Sequence, residues 1–146
     1  MNTLKSLDGL RILVVDDDAD TLVLVRFIFE EYNVQVSSTS STREAFEVIR
    51  CWEPDILLSD IALPEEDGYC LISKVRKLPG KIGQIPALAL TALATQEARR
   101  KILNSGFSVY VVKPFEPDSL VEVVSNLAIE RACYVRVVDV EENGDS

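Results

Sequence analysis

Apolar residues recur along this chain with two periods that take turns. Arg11-Ile12-Leu13-Val14-Val15 is an almost unbroken apolar run that ends in carboxylates at Asp16, the pattern of a strand covered on both faces. Leu22, Val25 and Phe29 then recur at i, i+3 and i+7, which predicts a helix with that stripe on the sheet. Asp18 or Asp20 sits where a helix N-terminus favours negative charge. Residues 33 to 38 read as a short second strand. Ser41-Thr42-Arg43-Glu44 follows as a capping box ahead of Ala45, Val48, Ile49 and Trp52 at helical spacing.

The same rhythm continues. Pro54 breaks the second helix, and Asp55-Ile56-Leu57-Leu58-Ser59-Asp60 forms a third strand, again ending in acid. A loop with Pro64 and Gly68 leads to a helix carrying Leu71, Val75 and Leu78, which stops near Pro79-Gly80. Ala87 to Thr91 is a fourth strand, and Thr95 caps a helix reaching about Ser105, with Gly106 free to close it. Val109 to Val112 is a fifth strand. Pro117 opens the last helix, whose stripe is Leu120, Val123, Val124 and Leu127. Five strands alternating with five helices predict a parallel sheet covered on both faces. After about Arg131 the alternation stops. We read residues 1–131 as one domain and 132–146 as a C-terminal tail, in which Tyr134 to Val138 suits an extra strand, a docking segment or a linker remnant.

Composition narrows the function classes. With 47% apolar and 27% charged residues, the 146-residue chain has the balance of one globular core. Its 24 acidic residues outnumber 15 basic ones, a net charge of −9, which argues against direct nucleic-acid binding. No apolar run reaches the roughly 18 residues of a membrane helix. The three cysteines, Cys51, Cys70 and Cys133, form neither a disulfide framework nor a zinc motif, and a reducing cytoplasm is the expected location.

In an open parallel sheet, ligands bind beyond the carboxyl ends of the strands. There lie Asp16 and Asp17 after strand one, Asp60 at the end of strand three, Thr91 at the end of strand four and Lys113 after strand five. Singly, an acidic pair starts a helix and a Lys-Pro step makes a turn. Together, acids, a hydroxyl and an ammonium at the same end of four strands point to one site. Clustered carboxylates call for a cation, and Mg²⁺ suits oxygen ligands and phosphate. A carboxylate attacks a phosphoryl group directly when a metal and a fixed ammonium offset the crowded negative charge.

The contexts Val15-Asp16-Asp17, Leu58-Ser59-Asp60-Ile61-Ala62-Leu63-Pro64, Leu90-Thr91-Ala92 and Val112-Lys113-Pro114-Phe115 resemble the motifs of response-regulator receiver domains over residues 11 to about 131. The resemblance implies a flavodoxin-like doubly wound sheet of order 2-1-3-4-5 and a cis Lys113-Pro114 bond. It implies Asp60 as phosphoacceptor, and Asp16, Asp17, Asp60 and the Ala62 backbone carbonyl as ligands of Mg²⁺. Lys113 would pair with the acceptor and then with the phosphoryl group, and Thr91 and Tyr110 would form the coupled switch. The implied donor is a histidine kinase or histidine phosphotransfer protein, a separate polypeptide because this chain has no histidine. A downstream protein would read the face made by helix 4, strand 5 and helix 5, where Arg99-Arg100-Lys101 is either a partner contact or a solvated surface. A homodimer is compatible with such a relay.

Such a domain is no enzyme toward an external substrate, although it catalyses its own phosphorylation and dephosphorylation. The side chains two after the acceptor and two after the threonine, Ala62 and Leu93, cannot orient a hydrolysing water, so a long-lived acyl phosphate is expected. A haloacid-dehalogenase-type phosphohydrolase would need a second aspartate where Ala62 stands, and a dinucleotide site would need glycines where Asp16-Asp17-Asp18 stands. The remaining rival is a receiver-like interaction module that works without phosphorylation. The 15 residues after Arg131 hold no output domain, so the chain reads either as a stand-alone relay or as the N-terminal receiver of a longer kinase or regulator, with 132–146 as linker remnant.

Overall fold

The computed structural model describes residues 6–144. Five parallel strands, β1 (Arg11–Val15), β2 (Gln35–Thr39), β3 (Ile56–Asp60), β4 (Ala87–Thr91) and β5 (Val109–Val112), form one sheet of order 2-1-3-4-5. The helices between and after them are α1 (Ala19–Glu30), α2 (Thr42–Trp52), α3 (Gly68–Arg76), α4 (Gln96–Ser105) and α5 (Pro117–Gly144). A 3₁₀ turn at Lys81–Gln84 joins α3 to β4. This is the flavodoxin-like architecture expected from the sequence.

Alternation along the central strands decides what each helix meets. Ile12 and Val14 of β1, Ile56 and Leu58 of β3, and Leu88 and Leu90 of β4 face one side, where they pack with Val25, Ile28 and Phe29 of α1 and with Leu120, Val124 and Leu127 of α5. Leu13, Val15, Leu57, Ala87 and Ala89 face the other, against Ala45 and Ile49 of α2, Leu71, Ile72 and Val75 of α3, and Ile102 of α4. The central strands β3 and β4 are buried throughout, whereas the edge strand β5 is half-buried at every position.

Local chemistry sets the boundaries. The Asp18 carboxylate caps α1 by accepting the Asp20 N–H, and Ser41 caps α2 by accepting the Glu44 N–H. Asp67 caps α3 through the Cys70 N–H, and Thr95 caps α4 through the Ala98 N–H. Three boundaries differ from expectation. β2 begins at Gln35 because Asn33 takes a left-handed φ of 59° and ends the preceding turn. α3 stops at Arg76, before Pro79, because the Lys77 and Leu78 N–H groups turn back to Lys74 and Val75. The last helix runs to Gly144, so Tyr134 to Val138 is helical and not an extra strand. Residues 145 and 146 of the tail lie outside the described residues.

Phe27 and Phe29 stand two apart on α1, yet Phe27 is 66% exposed and Phe29 is fully buried. Phe29→Ala is expected to destabilise the fold by about 3–5 kcal/mol in urea unfolding, and Phe27→Ala by no more than about 0.5 kcal/mol.

Candidate functional site

The sheet brings the carboxyl ends of β1, β3, β4 and β5 side by side, and Asp16, Asp17, Asp60, Thr91 and Lys113 lie on that rim. Asp60 ends β3, with Leu90 of β4 as its register partner. Thr91 ends β4 opposite Val112, and the Lys113 N–H donates to the Thr91 carbonyl at 2.8 Å. Asp16 and Asp17 follow β1 directly. One carboxylate oxygen from each of Asp16, Asp17 and Asp60 lies within 4.8 Å of the others.

These acids are held very differently. Asp16 is fully buried, and its carboxylate accepts the Asp18 N–H at 2.9 Å and the Lys113 Nζ at 2.8 Å. A buried charge needs such donors to persist. Asp60 is almost as buried, but Lys113 Nζ stands at 3.4 Å from its Oδ2. Burial first, and the neighbouring Asp16 carboxylate second, push the Asp60 carboxyl above its ordinary pKa, against the opposing pull of Lys113 and the Ala62 N–H. For Lys113, burial works to lower the pKa, but the hydrogen bond and charge of Asp16, then the charge of Asp60, outweigh it and raise the pKa. The ammonium is therefore fixed as a cation between two acids, leaning toward Asp16. Asp17 is exposed at the mouth. Three hard oxygen donors of this spacing suit a small divalent cation.

The remaining candidates surround this core. The Thr91 hydroxyl is occupied locally: it accepts the Leu93 N–H at 3.0 Å and reaches the Leu93 carbonyl at 3.3 Å. Tyr110 is half-buried on β5, with the Arg99 guanidinium 5.7 Å from its ring centre. Ala62 meets the Asp60 carboxylate through its backbone N–H. Leu93 is 62% exposed. The Lys113-Pro114 bond is cis.

Two supports were not visible in the sequence. Gly68, the first residue of α3, lies so close to β3 that a Cβ there would stand 2.5 Å from the Asp60 carbonyl. The loop between them is pinned by Glu66, which accepts from Thr42 Oγ1 and Lys74 Nζ, both at 3.0 Å. A lone glycine after an N-cap and a glutamate eight residues before a lysine carry no local signal, because both act across the chain.

An open doubly wound α/β domain with three carboxylates and a lysine on its carboxyl rim is the class that fold and site define. The family model for the response regulator receiver domain matches residues 12–125, and this chain belongs to that family. An uncharacterized 14.6 kDa protein in the sodA1 3′ region of Leptolyngbya boryana is 43% identical over 129 residues, 88% of this chain and 95% of that protein. The response regulator SaeR of Staphylococcus epidermidis is 32% identical over 116 residues, 80% of this chain but 49% of that protein. This chain thus spans nearly all of the first relative and about half of the second. Among solved structures, a CheY-like receiver domain protein from Methanospirillum hungatei superposes with a TM-score of 0.79 at 28% identity, covering 87% of this chain and 99% of that one.

Two stability measurements check this geometry. A carboxyl whose pKa is raised on folding contributes most below its unfolded pKa and loses that contribution as pH rises through the folded value. Metal-free Asp60→Asn is therefore expected to melt about 2–4 °C above the native chain at neutral pH, the gap narrowing on acidification. Gly68→Ala should lower stability by about 1–3 kcal/mol in urea unfolding, because the new methyl meets backbone and not a flexible side chain.

Proposed function

We propose that the chain is a phosphoacceptor in a phosphorelay, taking a phosphoryl group onto Asp60 from a phosphohistidine of a histidine kinase or histidine phosphotransfer protein. The observation that carries this reading is the Lys113 ammonium held between Asp16 and Asp60 with Asp17 alongside. An Asp60 carboxylate oxygen attacks phosphorus, the phosphorus–nitrogen bond breaks, and the imidazole leaves with the electron pair. Lys113, more tightly bonded to Asp16 than to Asp60, leaves the acceptor oxygens accessible while its charge offsets the incoming anion. Asp16, Asp17, Asp60 and the Ala62 carbonyl would hold Mg²⁺, which when bound supplies positive charge to the phosphoryl oxygens. The chain in this reading catalyses its own phosphorylation and dephosphorylation without acting on an external substrate.

Signal output in this reading passes through Thr91 and Tyr110 to the face formed by α4, β5 and α5, where a downstream protein or a second copy docks. Direct nucleic-acid contact is unsupported at a net charge of −9. Among the described residues no helix is long and apolar enough to cross a membrane; the cytoplasmic location is proposed from the cysteine usage. Residues 1–131 act as the receiver unit and 132–146 as a tail, of which residues up to Gly144 prolong α5.

Incubation with acetyl phosphate and Mg²⁺ is expected to add one phosphoryl group by intact mass. The adduct should vanish in Asp60→Asn and on chelation. Because Ala62 and the exposed Leu93 carry no group to orient water, the adduct should outlast a time course of minutes. No adduct, under conditions that modify another receiver domain, would support the phosphorylation-independent interaction module instead.

A further inference from the structure

Helix α4 is poorly anchored by apolar contact. Of its ten residues only Ile102 is buried, while Arg99, Arg100 and Lys101 are all exposed. What else holds it is polar. Its C-terminal end is stapled by Arg76, which donates to the Gly106 carbonyl through Nε at 3.0 Å and Nη2 at 2.8 Å. Lys101 Nζ lies 4.5 Å from the centre of the Tyr69 ring on α3. Near the N-terminal end Arg99 covers the Tyr110 ring of β5 at 5.7 Å, and just before the helix the Thr91 hydroxyl is bonded to the Leu93 backbone.

We propose that Arg99 is a positioning residue that latches Tyr110 in the resting arrangement and so opposes activation of this chain. The inference rests on the phosphoacceptor reading of Asp60. For Thr91 to bond a phosphoryl oxygen, its hydroxyl must release the Leu93 carbonyl, which frees the 92–95 loop ahead of α4. Tyr110 then follows Thr91 only if its ring leaves the guanidinium. A cation over an aromatic face is worth enough to bias such an equilibrium several-fold at an exposed site. By linkage, whatever the stack contributes to the resting state it removes from the affinity for an activating ligand. The sign is distinctive: loss of a cation near the rim would, by charge alone, weaken attraction to an anionic phosphoryl group.

Beryllofluoride, a phosphoryl mimic, can be titrated at fixed Mg²⁺ while the tyrosine-ring NMR signals are followed. Arg99→Gln is expected to lower the half-saturating concentration about 2- to 5-fold and to move the Tyr110 signal of the free protein toward its bound position. Arg99→Lys should restore part of the native behaviour. Arg100→Gln, the same charge change one residue along, should match the native chain, and Arg99→Gln added to Tyr110→Leu should have no further effect. Native binding with no gain in Arg99→Gln, or an equal gain in Arg100→Gln, would overturn the latch alone. Failure of the native chain to bind beryllofluoride would remove the phosphoacceptor reading and the latch with it.

Discussion

Three carboxylates within 4.8 Å of one another repel, and two of them are buried, so the rim holds together only with positive charge among them. Within the chain that charge is Lys113, which the fold delivers from β5, at the edge of the sheet, to Asp16 beyond β1. Much else on the rim follows from this requirement. Strand order places β1, β3, β4 and β5 side by side so that their ends converge. The Asp18 N–H supplies Asp16 with a second donor and at the same residue begins the cap of α1. Asp60, with a more distant share of the ammonium, keeps the less compensated charge and a raised pKa.

That asymmetry connects stability to chemistry. Asp16 has its partners in the resting protein, whereas Asp60 gains its full complement only when further positive charge arrives. A cation bound there would stabilise the site, and the same imbalance leaves the Asp60 oxygens less engaged by Lys113 than those of Asp16. The surrounding backbone holds this arrangement: α3 begins against the Asp60 carbonyl with no room for a side chain at Gly68, and Glu66 ties the loop after Asp60 to α2 and α3. On the far side of the rim, Thr91 and Tyr110 are each engaged by other partners, Leu93 and Arg99. In the proposed reading the switch is an exchange of these contacts beside α4, a helix that buries only Ile102.

The strands, the four capped helices and the rim residues were legible because each is encoded locally, in a run of apolar residues, a cap or a polar residue at a strand end. The buried β3 and β4 read as apolar runs that end in polar residues, Ser59-Asp60 and Thr91. What escaped is encoded between distant segments. The closeness of Gly68 to Asp60, the Glu66 ties and the stacking of Arg99 on Tyr110 depend on tertiary placement. In Arg99-Arg100-Lys101 the sequence offered three equivalent cations, and only packing distinguishes the one over the Tyr110 ring. The prolonged α5 was hidden because Tyr134 to Val138 is β-branched and aromatic, a composition that favours strands, although the backbone there is helical.

The central claim is that Asp60, and not its acidic neighbours, carries the phosphoryl group. Borohydride reduction of the phosphorylated chain converts an acyl phosphate to an alcohol, turning the modified aspartate into homoserine, which peptide mass spectrometry locates. Homoserine is expected at position 60 alone; homoserine at position 16 or 17, or at none, would rule out Asp60 as the phosphorylated residue.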